Sequence, residues 1–334
     1  MSLYIPKHYV NKLSLIETQL AIKLVKDTFE RKLAKNLNLT RVSAPLFVEP
    51  KTGLNDNLSG IEIPVGFNLT KLDKRVEIVQ SLAKWKRMVL GQYGFSSGMG
   101  LYTDMNAIRP DEETDNLHSI YVDQWDWEKV ILKEDRKIDF LKNTVSLIIK
   151  SLYETNQVLK QEYPILDFEV QENVYFITSE ELLQMFPDLS PKERENEICR
   201  LKKTVFIIGI GDKLSDDTIH DMRAPDYDDW SMNGDILVWC PILEVAVELS
   251  SMGIRVDSKA ITEQLKKSEK EGRLNFPFHK DVVSNKLPLS IGGGIGQSRV
   301  CQVLLEKLHI GEVQVSTWKE EDLQTLKEIG AIIL

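Results

Sequence analysis

No segment of the chain approaches the ~20 consecutive apolar residues of a transmembrane helix, which excludes a membrane-spanning one. The opening residues Met1-Ser2-Leu3-Tyr4-Ile5-Pro6 lead into no apolar h-region, so they read as no secretory signal. Cysteine is scarce. Cys199, Cys240 and Cys301 are odd in number and far apart, which fits neither a disulfide framework nor a zinc spacing and predicts buried, reduced thiols in a cytoplasmic protein. Basic charge is in deficit, 42 Lys and Arg against 51 Asp and Glu, and a net charge of −9 argues against broad capture of nucleic acid. The glycine run 291–299 (IGGGIGQSR) lacks the lysine of a P-loop. It also misses the third glycine of a dinucleotide fingerprint and lies far from any first βαβ unit.

What is present is an ordinary globular composition, 42% hydrophobic and 28% charged, in a chain of 334 residues. Apolar residues at Val10, Leu13, Ile16, Leu20, Leu24 and Phe29 predict an amphipathic helix over 7–36, and 135–160 predicts a second. Between them, 37–48 reads as a strand interrupted by Pro45, which removes a ladder donor and suits an edge or an interface. Residues 51–60 (KTGLNDNLSG) are turn chemistry. A short strand over 76–79 precedes a basic helix over 81–87. The apolar run 204–210 predicts a strand buried on both faces. Residues 235–240 and 243–251 predict a hairpin whose second arm puts Glu244, Glu248 and Ser250 on one face, opposite Val245, Val247 and Leu249. The glycine strand and a helix over 298–308 follow. This is an α+β pattern, a mostly antiparallel sheet flanked by helices, with no repeat or linker to divide residues 1–334.

The hairpin around Arg109 carries the clearest chemistry. Its return strand alternates, with Ile120, Val122, Gln124 and Asp126 on one face and Tyr121, Asp123, Trp125 and Trp127 on the other. The arginine could thus face a polar pair, and its fork suits phosphate. Trp125 and Trp127 are expected in the core, and His220 in an exposed loop.

An arginine-x-acid hairpin, a glycine strand ending in Arg299 that opens a helix, and a proline-broken strand resemble motifs 2, 3 and 1 of the class II aminoacyl-tRNA synthetases. Longer runs are similar to the ammonia-dependent asparagine synthetases of that superfamily: DNLSG (56–60), SLAKWKR (81–87), RPDE (109–112), YVDQWDWE (121–128), RAPDYDDW (223–230), NGDILVW (233–239), ELSSMGIRVD (248–257) and IGGGIGQSR (291–299). The resemblance spans nearly the whole chain. It implies one class II synthetase-like catalytic domain over residues 1–334 that joins L-aspartate and free ammonia through a β-aspartyl-adenylate, releasing AMP and pyrophosphate from ATP.

The roles it implies are specific. Arg109 bridges the α-phosphate and the reacting carboxylate. Arg299 stacks on adenine or holds the distal phosphate. Lys86, or Lys84 from the same helix, neutralises a substrate carboxylate. Asp56 binds the α-ammonium group, and Gln124 and Asp126 complete amino-acid recognition. Ser250, Ser251 and Arg255 line the substrate pocket; His118, Asp228, Gly292 and Gly294 contact ATP. Asp235 and Glu248 supply a carboxylate pair for Mg2+, with Asp228 a third candidate. Ser298 stands where many synthetases place an acid.

A glutamine-dependent enzyme needs a nucleophilic cysteine, usually at the mature N-terminus. Position 2 is serine and no cysteine precedes Cys199, so free ammonia is expected. The proline strand implies a homodimer. The competing readings are an aspartyl- or asparaginyl-tRNA synthetase, for whose N-terminal anticodon domain there is no room, and a non-catalytic amino-acid sensor, which would be expected to lose an ATP arginine or a metal acid.

Overall fold

A computed structural model describes residues 3–56 and 62–334; residues 57–60 of the DNLSG run lie outside them. The strands are β1 (Leu39–Arg41), β2 (Phe47–Val48), β3 (Gly66–Leu69), β4 (Lys74–Ile78), β5 (Gly100–Ile108), β6 (Tyr121–Val130), β7 (Tyr175–Thr178), β8 (Thr204–Ile208), β9 (Asp228–Cys240), β10 (Val245–Arg255) and β11 (Ser290–Gly296). The helices are α1 (Leu15–Leu37), α2 (Ala83–Gln92), α3 (Ile138–Glu162), α4 (Ser179–Met185), α5 (Pro191–Lys202), α6 (Ser258–Lys267), α7 (Pro277–Val283), α8 (Gln297–Leu304) and α9 (Glu320–Glu328). Eight strands form one sheet of order β1-β5-β6-β11-β10-β9-β8-β7, antiparallel except at its two ends. A small antiparallel sheet, β2-β4-β3, lies beside it. The expected α+β architecture is the one found.

The two faces of the large sheet differ. One is covered throughout by α1, α3 and α8, which pack Phe29, Val145, Ile148 and Val300 onto Trp125, Trp127, Met252, Ile254, Ile291 and Ile295. Both tryptophans are buried in that core, as their alternation predicted. The other face carries two separate apolar clusters. At the β5–β6 end, α2, α6 and α7 bring Leu90, Ile261 and Phe278 onto Leu101 and Met105. At the β8–β9 end, Leu182 and Ile198 of α4 and α5 cover Val205, Ile207 and Leu237. The strip between the two clusters is left for polar chemistry.

Local sequence explains the frame. Ser14 and Glu17 form a reciprocal capping box that starts α1, and Asn38 ends it in a left-handed turn with φ 60°. The buried face of α1 is Thr18, Ala21, Val25, Phe29, Leu33 and Leu37. The predicted stripe is corrected here, because Ile16 and Leu20 are 67% and 60% exposed. The Pro45 segment also differs, since the chain is strand only at β1 and β2 and changes sheet between them.

Candidate active site

The uncovered strip is the floor of a cleft of about 410 Å³. Register builds it in rows, because paired residues on neighbouring strands project to the same face. One row runs Thr103, Asp126, Gly294, Ser251, Asp235 and Ile207 across six strands. The next runs Leu101, Glu128, Gly292, Gly253 and Asn233. Acids enter from the outer strands and the middle strands carry glycine.

The glycines are there for their neighbours. A Cβ on Gly294 would run into the Gln124 carboxamide. One on Gly292 would run into the Glu128 carboxylate and stand 2.7 Å from an Arg255 nitrogen. Gly293, Gly294 and Gly296 line the cleft, but Gly292 does not. The expected ATP contact at Gly292 is therefore corrected: that space belongs to Glu128.

Glu128 is the residue the sequence reading missed, although it sits inside YVDQWDWE and continues the alternation of Gln124 and Asp126. It is fully buried and accepts from Arg255 Nε at 2.9 and 3.1 Å, Arg255 Nη2 at 2.7 Å and Ser290 Oγ at 2.7 Å. Arg255 Nη1 donates to Asp228, and the guanidinium lies 5.6 Å from the Tyr227 ring. Against the cost of burial, Arg255 holds the Glu128 carboxyl below its ordinary range, and the two acids keep Arg255 protonated. Asp228 and Arg255 both line the cleft, but much of their bonding capacity is spent on each other and on Glu128.

The helix over 81–87 is not a solvated basic surface. Lys84, Lys86 and Arg87 are all buried. Arg87 donates to the carbonyls of Pro288 and Val256. Lys86 donates to Asp126 Oδ1 and to the Gly293 carbonyl at 2.9 Å, and burial pulls its pKa down. Lys84 turns away from the cleft lining to Asp226, 3.3 Å away, which also receives Arg273 at 2.9 Å and His279 at 3.0 Å. Of the two lysines, Lys86 is the one in the cleft.

Asp56 lines the same cleft, almost fully buried, with its pKa raised by burial. The Tyr227 hydroxyl donates to it. Arg109 enters from the end of β5, with an Nη1 nitrogen 3.9 Å from Glu112 and a buried Nε that has no protein partner among the described residues. His118 lines the cleft and its Nδ1 lies 2.9 Å from Asp115. His220 is corrected: it is buried, 3.2 Å from Glu195, and not an exposed loop residue.

A second group of side chains at the cleft is acidic. Arg299 donates to the Glu248 carbonyl at 3.1 Å, and an Nη1 nitrogen lies 4.0 Å from the Glu248 carboxylate. Against burial, Arg299 and Arg223 hold Glu248 below its ordinary pKa. Asp235 is bonded to Arg223, yet burial and the neighbouring Glu248 and Asp221 push its carboxyl up to about 7. Asp221, Arg223, Glu248 and Arg299 line the cleft, and Asp235 lies just outside its lining. Asp221 and Arg223 are further residues that sequence reasoning assigned no role.

A bulge decides which serine serves the site. Glu248 pairs with Leu237 but Ser250 pairs with Ile236, so Leu249 is an extra residue and the alternation flips. Ser251, not Ser250, shares the face of Glu248 and donates to it at 3.0 Å. Ser250 falls on the side of Met252 and Ile254, out of the cleft lining. Ser298 also finds its acid elsewhere, donating its backbone N–H to Asp123 at 3.0 Å.

The sequence model of a family described as aspartate-ammonia ligase matches residues 16–330. A protein named aspartate--ammonia ligase from Clostridium tetani is 56% identical over 99% of this chain and 98% of its own length. One of the same name from Lactobacillus johnsonii is 52% identical over all of both chains. Among solved structures, asparaginyl-tRNA synthetase from Pyrococcus horikoshii complexed with asparaginyl-adenylate matches with a TM-score of 0.62 at 14% identity, covering 89% of this chain and 68% of that one. The asparaginyl-tRNA synthetase of Entamoeba histolytica matches with a TM-score of 0.63 at 12% identity, covering 90% and 67%. The structural likeness gives the fold, that of a class II synthetase catalytic domain.

Proposed function

Since the chain belongs to the aspartate–ammonia ligase family and is an enzyme that makes L-asparagine from L-aspartate, ammonia and ATP, we propose how its cleft divides that work. The observation that carries the reading is that one cleft gathers Asp56, Lys86, Gln124, Arg109, Glu248 and Arg299. Aspartate lies against Asp56 and Lys86, and ATP against Arg299 and Glu248. The β-carboxylate oxygen attacks the α-phosphorus, the bond to the β-phosphate breaks and pyrophosphate leaves. Ammonia then attacks the β-carbonyl carbon of the adenylate, AMP departs with the electron pair of the acyl–oxygen bond, and one proton is lost from nitrogen.

Arg109 stabilises negative charge developing between carboxylate and phosphate, where a preorganised donor acts most strongly. Its unpartnered Nε supports that role. Arg299 holds ATP by its base or distal phosphate, with His118 on the same nucleotide. Asp56 takes the α-ammonium group, and Lys86 with Asp126 and Gln124 frames the substrate carboxylates. Arg255 keeps two N–H groups beyond its bonds to Glu128 and Asp228, and these serve the substrate. Mg2+ fits the acidic group, because Glu248 and Asp235 are oxygen donors among neighbouring acids, and burial together with Glu248 and Asp221 holds Asp235 at about 7. When bound there, the ion would neutralise phosphate charge.

A homodimer built on the Pro45 strand is supported by exposed Leu46, Phe47 and Phe67 beside it, with the two phenylalanine rings 5.4 Å apart. A cytoplasmic location is supported by Cys199, Cys240 and Cys301, all buried and free. The competing aminoacylation reading is not favoured by relatives matched over the full length. The test is product analysis with ATP, aspartate and either ammonium or glutamine. AMP and pyrophosphate with ammonium alone support the mechanism, and ADP would refute it.

A further inference from the structure

Gln80 precedes α2 and is 1% exposed, yet neither its amide nitrogen nor its amide oxygen has a hydrogen-bond partner among the described residues. A buried amide left unpaired at both atoms costs stability and requires an explanation. Its position supplies one, because Gln80 lines the cleft next to Ser81, Ala83 and Lys86. Nor is its placement loose. Asn55 Oδ1 accepts the backbone N–H of Gln80 at 2.9 Å and that of Asp56 at 3.0 Å, while Asn55 Nδ2 donates to the Ile78 carbonyl at 3.1 Å. One asparagine therefore clamps Gln80 and Asp56 side by side.

We propose that Gln80 is a specificity-determining residue that reads the zwitterionic head of the substrate amino acid. The inference rests on the reading of the Asp56 end as the aspartate end. The amide offers a donor and an acceptor at a single point, so its ligand must present an acceptor and a donor on adjacent atoms. The α-carbon of aspartate does this: its carboxylate accepts from Nε2 and its ammonium donates to Oε1, while Asp56 supplies the counter-charge to the ammonium. Adenine also pairs a donor with an acceptor, but Arg299, the nucleotide's anchor, is held at Glu248 of β10, whereas Gln80 is held beside Asp56. Ammonia offers donors and a lone pair but no carboxylate, and it would leave Nε2 in competition with the electrophile.

Steady-state kinetics of the full chain with Gln80→Met, which keeps the length of the side chain and removes both polar atoms, provides the test. The KM for aspartate is expected to rise about 10- to 100-fold, as for loss of hydrogen bonds to charged groups, with the KM for ATP moving less than about twofold. The ligand-free variant should melt at the same temperature as the wild type or higher, since no protein partner is lost. A merely structural glutamine would do the opposite, lowering the melting temperature and leaving the KM for aspartate alone. That result would overturn the inference, as would a rise confined to the KM for ATP or for ammonium. Asp56→Asn, assayed in parallel, separates the two levels. If it raises the KM for aspartate while Gln80→Met is silent, only the Gln80 inference fails; if both are silent, the assignment of this end to aspartate fails with it.

Discussion

Two groups of three acids, each with two cations, share the same floor and differ in how closely their charges are paired. Around Glu128, Asp228 and Asp126, the side chains of Arg255 and Lys86 lie within hydrogen-bonding distance, and the group is closed apart from Asp126 Oδ2, which has no partner among the described residues. Around Asp235, Glu248 and Asp221, with Arg223 and Arg299 as counter-charges, burial and the neighbouring acids drive the Asp235 carboxyl up to about 7. The closed group positions. Its charges are fixed by partners on β10 and α2 before any ligand arrives. The open group receives, because surplus negative charge beside a cleft is relieved only by a proton or an incoming cation. Asp126, Asp228, Asp235 and Glu248 were visible in the sequence as candidate acids; Glu128, Asp221 and the pairing that separates the two groups were not.

Breaking the closed group should have the largest effect. Arg255→Met leaves Glu128 buried without its main counter-ion, and urea denaturation should show a loss of about 3–5 kcal/mol. Arg299→Met, at the open end, should cost far less stability while lowering turnover. Equal losses in the two variants would erase the distinction.

Gly292→Ala attacks the closed group through space alone, placing a methyl on the Glu128 carboxylate. A loss of about 1–3 kcal/mol is expected from overpacking. Gly296→Ala, whose Cβ would stand 3.4 Å from Arg299 Cβ, should be milder in the same melt.

The open group should respond to pH. A carboxyl raised to about 7 in the folded state, from an ordinary value of 3.8, binds more protons folded than unfolded between those values. Stability therefore falls as pH rises through that window, by at most about 1.4 kcal/mol per pH unit for one group, and levels off above 7. Asp235→Asn should flatten this slope in melts recorded from pH 4 to 8. Mg2+ alone should raise the melting temperature of the wild type more at pH 8 than at pH 6. The opposite order would show that the group does not hold the ion.

The serine pair gives the smallest difference and tests the bulge. Ser251→Ala removes a bond to Glu248 and should cost about 1 kcal/mol, whereas Ser250→Ala removes a hydroxyl with no partner among the described residues and should be neutral or stabilising.

Much of the fold was legible because it follows from periodicity. The tryptophan face of β6, the buried β8 and the hairpin of β9 and β10 are where alternation places them. What was illegible depends on long-range register. No local pattern announces Leu249 as an extra residue, so Ser250 was placed on the wrong face. The charge of the helix over 81–87 was legible but its burial was not, because the partners of Lys86 and Arg87, Asp126 on β6 and the carbonyl of Pro288 just before β11, are distant in sequence. In α1, hydrophobicity pointed to Ile16 and Leu20, but the packed side is chosen by fit against α3. Glu128 was within reach of the alternation argument; Gln80 was not, since its significance is the absence of a partner.

Strand order also carries a consequence for synthesis. β11 lies between β6 and β10, yet it is translated after both. Until residues 290–296 leave the ribosome, β6 and β10 each present an open edge to the other and to neighbouring chains, the kind of edge through which strands aggregate. The floor of the cleft is thus closed late, by a strand whose missing side chains let it slide between two that are already furnished. A chain shortened before Ser290 would lack more than its binding site: it would be two half-sheets with nothing to join them.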